Sequence, residues 1–350
     1  MAPEKKVVSA KKMDAFCVDV LKKAGVSPEG AAIVAESLLC AELRGIKSHG
    51  VLRLESYIQR YEAGVMKIQA PIETEMDEQA TALLNANNTF GSVAGHRAMS
   101  MAIDKARQYG TGVVTVKNSN HFGIAAYFSM MALKEDMVGC VVTNAAPSMA
   151  VYGTKTPLIG TNPISIAIPA GDQFPIVLDM ATSVVARGKI IYSALTGHQI
   201  PLGWARDSEG KPTENSQDAL KGSLEPVGGV KGSALSLIID IICGVLTDTA
   251  LTGGARNLAD VKGPASIGHF FSALNVSRFI DLKLFKANVD RVIQNIKSLP
   301  PVDGGPVYLP GEIEYLCSRK RTEEGVPLED EVIRSLNAVA ARYGASQLDI

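Results

Sequence analysis

The sequence has no surplus of charge of either sign. Its 35 basic and 36 acidic residues leave a formal net charge of -1 over 350 residues. Chains that bind nucleic acid usually carry a basic patch or stripe. The composition therefore predicts no nucleic-acid partner.

Long apolar runs are also missing. The most apolar stretch, residues 235–246, is interrupted by Asp240 and is too short to cross a bilayer. It predicts a buried helix, so we expect no membrane partner. The first residues, Met1 to Lys5, lack the apolar core of a signal peptide, and we expect a cytoplasmic protein.

Cysteines are few and scattered. None of the five stands at the spacing of a zinc knuckle or a CxxC redox pair, and most lie in apolar stretches. They are typical of buried hydrophobic residues in a reducing compartment. The histidines show no metal-ligand spacing either, so we expect no catalytic metal.

The common catalytic fingerprints are absent as well. No G-x-G-x-x-G follows a strand, and Gly110-Thr111-Gly112 precedes its strand. Walker A, HExxH and G-x-S-x-G sequences are missing. These absences disfavour a Rossmann dehydrogenase, a P-loop NTPase, a zincin and a serine hydrolase. Nucleotide binding stays open, because other helix N-termini and backbone nests also hold phosphates.

The patterns that are present predict an α/β protein. Three helices are expected within the first 65 residues: one ending at Gly25, one from Ser27-Pro28 to about Leu43, and one capped by Ser48. Strands and helices then alternate, which favours an α/β unit. We expect strands at 81–84, 113–116, 138–142, 164–168, 176–178 and 270–274, and helices at 92–109, 124–136, 232–246, 281–297 and 329–343.

One candidate site is the segment from Ser48 to Arg53. If Ser48 caps the third helix, His49 sits at its positive end and Arg53 follows on the same face. A neutral imidazole beside a guanidinium suits a substrate that bears a carboxylate. The alternative is an ordinary cap followed by a surface arginine.

A second candidate is His121, in the loop after the strand 113–116. Ligands gather at the carboxyl ends of strands in α/β sheets, and a histidine there can titrate near neutral pH. The alternative is a loop histidine bonded to local backbone. We expect no role for the other histidines, which are His96 on a helix face, His198 in a turn and His269 at a strand start.

Several loops are rich in small and hydroxyl side chains. Such residues let a polar ligand approach the backbone, and an aspartate after a strand can accept from a ribose hydroxyl. Each segment resembles an ordinary loop, but together they predict a cleft lined by several loops. The residues are Thr143, Asn144, Gly160, Thr161, Asn162, Asp179, Met180, Ala181, Thr182, Ser183, Lys231 and Gly232.

Seven motifs in a fixed order resemble the malate/L-lactate dehydrogenase family that lacks a Rossmann domain. They are SHGVLRL, NSNHFG, LIGTNPISIAIP, VLDMATS, IPLGWARDSEGKPT, GGVKG and LPGE, and the resemblance runs from about residue 10 to 345. That family includes ureidoglycolate dehydrogenase, 2,3-diketogulonate reductase, sulfolactate dehydrogenase and a cyclic imino-acid reductase.

The resemblance implies a fold and an assembly. We expect a homodimer with a non-Rossmann α/β fold, in which a helical N-terminal region packs beside a mixed-sheet cofactor domain. Residues 1–75 would form the helical region, with 305–350 packing back on it. Residues 76–304 would form the α/β region that binds NAD, or NADP, and carries the chemistry.

The resemblance also assigns residues. The family's catalytic histidine falls on His121, which also contacts the cofactor, and its substrate group falls on Ser48, His49 and Arg53. The cofactor loops fall on the small polar segments above and on Gly311 with Glu312.

The expected function is therefore an NAD(P)-dependent oxidoreductase that interconverts a small 2-hydroxy acid and its 2-oxo acid, with malate and oxaloacetate as the first choice. Alternatives are a lactate, sulfolactate or ureidoglycolate dehydrogenase, or a reductase of a diketo-sugar acid or a cyclic imine. A catalytically silent nucleotide-binding assembly protein is an alternative of another class. We expect His121, rather than His49, to move the proton.

Overall fold

The protein is described by a computed structural model that covers residues 6–349. The signal-peptide expectation concerns Met1 to Lys5, which lie outside the described residues.

The N-terminal region is helical, as predicted. Helix α1 is Ala10–Lys23 and α2 is Pro28–Leu43, and their caps, Ser9 and Ser27, each accept a bond from a backbone N–H in the first turn. The short strand β1, Lys6–Val8, precedes them.

The third helix begins later than predicted. Ser48 lies inside a 3₁₀ turn, Lys47–His49, and helix α3 is Arg53–Glu62. Gly50 interrupts the helical path with an extended backbone, φ -86° and ψ -150°. The prediction that Ser48 caps a helix beginning with His49 is therefore wrong.

Both ends of the chain contribute to one apolar cluster. Strand β1 pairs antiparallel with a late strand, Val326–Leu328. That strand and the last helix, Asp330–Tyr343, pack with α1, α2 and α3. Members of the cluster include Met13, Val20, Leu38, Leu54, Val326, Leu336 and Val339.

A mixed sheet forms the centre of the molecule. Within the described residues it has seven strands in the order β2-β3-β4-β12-β5-β8-β9, and only β3 and β4 pair in parallel. The strands are β2 (Glu73–Asp77), β3 (Thr81–Asn85), β4 (Thr111–Ser119), β5 (Met137–Thr143), β8 (Ile164–Ile168), β9 (Ile176–Met180) and β12 (Ile267–Asn275). All six predicted strands are confirmed, whereas β2 was not predicted.

A second, smaller sheet is formed by strands that follow β5 and β9 in the sequence. Its strands are β6 (Met149–Ala150), β7 (Pro157–Ile159), β10 (Ala205–Arg206) and β11 (Ser223–Leu224), in the order β10-β11-β6-β7. Strands of two or three residues are too short to show an alternating pattern, which explains why the sequence did not predict them. Strand β13 is Val326–Leu328.

The remaining helices are α4 (Gly91–Tyr109), α5 (Ala125–Ser129), α6 (Arg187–Leu195), α7 (Ser216–Lys221), α8 (Val230–Asp240), α9 (Leu282–Lys297), α10 (Glu312–Glu324) and α11 (Asp330–Tyr343). The predicted helix 124–136 is wrong as one element, because α5 continues as the 3₁₀ segment Met130–Glu135. None of the helices within residues 6–349 combines the length and the apolarity that a membrane crossing requires.

The apolar stretch 235–246 is only half buried, which corrects the expectation of a buried helix. It forms most of α8 and the π-helical segment Ile241–Val245. Ser236 and Ile239 face the protein, whereas Leu235 and Ile238 are exposed. The side that this chain covers includes the polar Ser236 and Asp240, whereas the exposed side is apolar.

Candidate active site

Two of the histidines predicted from the sequence meet in the structure. His49 ends the 3₁₀ turn before α3, and His121 lies in the loop after β4. Their rings stack with centroids 5.5 Å apart and planes 21° apart. The structure therefore joins the two candidate segments into one site.

Arg53 and Ser48 complete the first half of this site. Ser48 Oγ lies 2.9 Å from His49 Nδ1, and Arg53 Nε donates to the Ser48 carbonyl over 2.6 Å. Among the described residues, no hydrogen bond is made by the two terminal nitrogens of Arg53. The planar end of the guanidinium is thus free to take a carboxylate as a bidentate pair.

Tyr57 completes the second half, and the sequence analysis missed it. Its hydroxyl lies 2.9 Å from His121 Nδ1, and the Gly123 N–H donates to the same nitrogen over 3.3 Å. Tyr57 stands one helical turn after Arg53 on α3, so i, i+4 spacing was the available signal. Because an N–H can only donate, Nδ1 accepts here, and the neutral ring carries its proton on Nε2.

Both stacked histidines are neutral at pH 7. Burial lowers the pKa of His49 from 6.5 to about 4, and Arg53 adds to this effect. Burial also lowers the pKa of His121 well below 6.5, and the charges of His49, Arg53 and His269 lower it further. The expectation that His121 titrates near neutral pH is wrong for the ligand-free protein. Burial, rather than a helix N-terminus, is the main cause of the shift at His49.

His269 lies behind this site in β12 and is fully buried. Its ring stacks on Phe122 with centroids 4.5 Å apart. Its Nδ1 lies 2.7 Å from Thr143 Oγ1, and its Nε2 lies 2.8 Å from Ser119 Oγ. His269 therefore connects the His121 loop to the loop that begins at Thr143.

Several of the predicted small polar loops also come together. Asn162 accepts from the Ala145 N–H and donates to the Ser236 carbonyl, each over 2.9 Å. Thr182 Oγ1 donates to the Thr161 carbonyl, also over 2.9 Å. The loops after β5, before β8 and after β9 are thus tied to one another and to α8.

Most of these polar side chains already make hydrogen bonds within the protein. Asn144 Oδ1 accepts from the Gly268 N–H over 2.9 Å, and Ser183 Oγ donates to the Val185 carbonyl over 2.8 Å. Asp179 lies inside β9, with Met180, and accepts from the Ala126 N–H over 3.1 Å. Burial raises the pKa of Asp179 to about 6. The loops therefore offer mainly backbone groups to a ligand.

Lys231 and Gly232 open α8 as predicted. The N-cap, Gly229, has φ +64° and gives no side-chain cap, and Lys231 is exposed. A Cβ at Gly232 would lie 2.2 Å from the Val227 carbonyl oxygen, so only glycine fits there. An uncapped helix N-terminus beside a lysine is suited to an anion such as a phosphate.

Gly311 and Glu312 open α10, whose start packs against β9. Gly311 packs against Val177, whose carbonyl oxygen would be 2.6 Å from an added Cβ. Glu312 is buried, accepts from the Leu309 N–H over 3.0 Å and pairs with Lys297. Its carboxylate is therefore engaged within the protein. Among residues 6–349, no three or more His, Cys, Asp or Glu side chains are grouped so as to hold a metal ion.

Comparison with known proteins settles the family. The sequence profile described as malate/L-lactate dehydrogenase matches residues 8–337. The chain belongs to the malate/L-lactate dehydrogenase family. It is accordingly a dehydrogenase that acts on hydroxy acids, and the recognition made from the seven motifs is confirmed.

Relatives within this family cover nearly the whole chain. The malate/(S)-sulfolactate dehydrogenase of Methanothermus fervidus is 37% identical over 334 residues, which are 95% of this chain and 97% of that protein. The malate dehydrogenase structure from Entamoeba histolytica has a TM-score of 0.94 at 34% identity and covers 99% of this chain and 100% of that one. The expected mixed α/β dehydrogenase fold is thus confirmed.

More distant relatives differ in the cofactor that they are named for. The (2R)-3-sulfolactate dehydrogenase (NADP(+)) of Chromohalobacter salexigens is 31% identical and aligns with 96% of this chain and 98% of its own length. The ureidoglycolate dehydrogenase (NAD(+)) of Escherichia coli is 30% identical, with 90% of each chain covered.

Proposed function

We propose that this enzyme interconverts a small 2-hydroxy acid and its 2-oxo acid with a nicotinamide cofactor, and that malate and oxaloacetate are its substrate and product. The stacked His49 and His121 rings beside the free end of Arg53 carry this proposal. On this proposal, a carboxylate-binding group lies next to a histidine that exchanges a proton.

NAD is the expected cofactor, with NADP as the alternative, and the residues present fit such a group. The uncapped N-terminus of α8 with the exposed Lys231 suits the diphosphate. The loops at Thr143, at Gly160 to Asn162, and at Asp179 to Ser183 would supply backbone groups to the rest of the cofactor, and Gly311 at the start of α10 packs against β9. When bound, the nicotinamide would supply or accept the hydride.

Arg53 would bind and orient the substrate. Its terminal nitrogens match the geometry of a carboxylate, while the bond from Nε to Ser48 fixes the plane of the guanidinium. His49 is neutral and would donate a hydrogen bond that orients the same end of the substrate. Ser48 holds the His49 ring through Nδ1.

His121 would exchange the proton through Nε2. In reduction its protonated form gives a proton to the carbonyl oxygen, and in oxidation the ring takes the proton back. Tyr57 can serve both forms, because a hydroxyl donates to a bare Nδ1 and accepts from a protonated one. A bound carboxylate beside the ring would raise the pKa of His121 from its low ligand-free value.

Sulfolactate is the second candidate substrate. The relative from Methanothermus fervidus is named for both malate and (S)-sulfolactate. Both compounds carry a second anionic group, which lactate lacks. We therefore expect preference for a doubly charged acid.

We also propose a homodimer that uses the exposed side of α8. Leu235, Ile238, Ile241 and Val245 recur at helical spacing and are all exposed. An apolar stripe of this kind in a monomer marks an interaction surface.

A panel of oxo acids tests the proposal. Nicotinamide absorbance is followed while oxaloacetate, sulfopyruvate, pyruvate and a cyclic imino acid are each offered with NADH and with NADPH. Faster turnover of oxaloacetate or sulfopyruvate than of pyruvate is expected. If a cofactor binds but none of the acids is reduced, the chain is a silent nucleotide-binding protein.

A further inference from the structure

Glu42 is a buried carboxylate next to the candidate site. It lies near the end of α2 and is 2% exposed. Its Oε1 accepts a hydrogen bond from the Val51 N–H over 3.1 Å. The bond reaches from α2 to the segment that links the 3₁₀ turn of His49 to α3.

Gly50 packs directly on this carboxylate. A Cβ at Gly50 would lie 2.1 Å from Glu42 Oε1, 2.5 Å from Cδ and 2.7 Å from Cγ. The backbone of Gly50 is extended, with φ -86°, so any residue could adopt it. The closest obstruction to a side chain at this position is therefore Glu42 itself.

The charge of Glu42 is balanced from a distant part of the chain. Arg321 of α10 donates through Nη1 to the Glu42 carbonyl, and the same nitrogen lies 3.9 Å from Glu42 Oε2. Oε2 makes no hydrogen bond with any described residue. A buried carboxylate that is only partly paired is costly, so its presence calls for a role that an apolar residue could not fill.

We propose that Glu42 is a positioning residue, which fixes the turn Lys47–His49 and Gly50 against α2 and so sets where His49 and Arg53 meet the substrate. This inference rests on the proposed function. Arg321 anchors the backbone of α2 at Glu42 through the main-chain carbonyl.

The bonds of the turn itself explain why an outside anchor is needed. Ser48 bonds to His49, and Arg53 bonds to Ser48, so these contacts move together with the turn. Lys47 pairs with Glu329 at the surface over 3.4 Å, a contact of small value in water. The bond from Val51 to Glu42 is buried and sets the depth of the turn.

Steady-state kinetics of Glu42→Ala and Glu42→Gln test the role. Glu42→Ala should raise the KM for the oxo acid at least about tenfold and change kcat far less, because the substrate end shifts while His121 does not. Glu42→Gln keeps an oxygen acceptor for Val51 and should recover most of the loss. The affinity for NADH, measured by its fluorescence, should stay unchanged in both.

Glu36→Ala is the matched control. Glu36 stands on the same helix but accepts from the Tyr127 hydroxyl, away from the turn. It should leave the KM unchanged. An unchanged KM in Glu42→Ala, or equal losses in KM, kcat and cofactor affinity in both Glu42 variants, would overturn the proposal.

A double-mutant cycle with Gly50→Ala tests the contact without relying on activity. Gly50→Ala should lower the thermal midpoint strongly in the wild-type background and much less in the Glu42→Ala background, where space exists for the added Cβ. Additive shifts would contradict a direct contact between Glu42 and Gly50. If no oxo acid is turned over by the wild type, the proposed function fails, but this cycle still reports on the contact.

Discussion

His49 and His121 each have a hydroxyl group at Nδ1, Ser48 for His49 and Tyr57 for His121, so the roles that we propose for them rest on Arg53. Arg53 lies next to His49 and adds to the lowering of its pKa, which opposes proton transfer by that ring. His121→Ala should lower kcat by about two orders of magnitude or more, because general acid–base help is lost. His49→Ala should mainly raise the KM.

Steady-state kinetics with oxaloacetate measures both variants. Loss of kcat in His49→Ala, with kcat retained in His121→Ala, would assign proton transfer to His49 instead.

Tyr57→Phe should shift the pH dependence of reduction. Without the hydroxyl, protonated His121 loses the acceptor for its Nδ1–H, so its pKa falls further. The limb of the kcat profile, where activity drops as pH rises, should therefore move to lower pH. Tyr61→Phe, on the same helix, is the control and should leave the profile in place. An unmoved limb in Tyr57→Phe would exclude this role.

Arg53→Lys should raise the KM for the oxo acid and leave the fold intact. Lysine keeps the charge but loses the planar fork, and with it both the bidentate contact and the bond to Ser48. The thermal midpoint, followed alongside the kinetics, separates binding from folding. An unchanged KM would mean that the substrate is anchored elsewhere.

Among single residues, the sequence predicted those that lie within short, continuous motifs. SHGVLRL and NSNHFG contain His49, Arg53 and His121, and the structure brings these three together. Tyr57 and Glu42 were missed, because their importance depends on contacts across 64 and 9 positions. The low pKa of His121 was missed too, since burial cannot be seen in a loop sequence.

Among the elements, the exposed side of α8 is the surface that we propose for the homodimer. Ile238→Asp places a charge in the middle of the apolar stripe, where Ile238 is 54% exposed. If the stripe buries itself against a second copy, the variant should dissociate, because an unpaired charge would be desolvated. Light scattering after size exclusion gives the mass.

Phe279→Asp is the control for this prediction. Phe279 is 72% exposed but lies outside α8, so its exchange should leave the mass unchanged. A wild-type mass equal to that of a single chain would contradict the proposed homodimer.

Element predictions succeeded where a long apolar pattern meets a clear end. Strand β8 and helix α4 are found almost residue for residue. Helix α10 was missed because EIEYLCSRKRTEE has little apolar periodicity, and its place is set by packing on α2. The start of α3 was wrong because Gly50 has an extended backbone and separates the 3₁₀ turn at His49 from the helix.

For the whole molecule, buried neutral histidines predict acid sensitivity. His269 is fully buried, and burial lowers its pKa from 6.5 to about 3. Between pH 6.5 and about pH 3, the His269 ring is therefore protonated in the unfolded chain and neutral in the folded protein. The stability that the neutral buried ring contributes is lost progressively as the pH falls below 6.5. Each such histidine gives a slope of about 1.4 kcal/mol per pH unit.

His269→Gln should reduce the dependence of the unfolding free energy on pH by about 1.4 kcal/mol per pH unit between about pH 6 and about pH 4. Urea unfolding at a series of pH values measures it. The exposed His198, exchanged in the same way, is the control. An unchanged slope in His269→Gln would mean that this ring is not held neutral in the folded protein.

The proposed function depends on direct hydride transfer between a nicotinamide and the second carbon of a small hydroxy acid. It is tested by incubating the enzyme with oxaloacetate and with NADH or NADPH deuterated at the transferable position, and by analysing the product by mass spectrometry. The label is placed on each face of the nicotinamide ring in turn, and with one of the two we expect malate that carries the deuterium on its second carbon. Cofactor binding without labelled hydroxy acid from oxaloacetate, sulfopyruvate or any other oxo acid offered would contradict it.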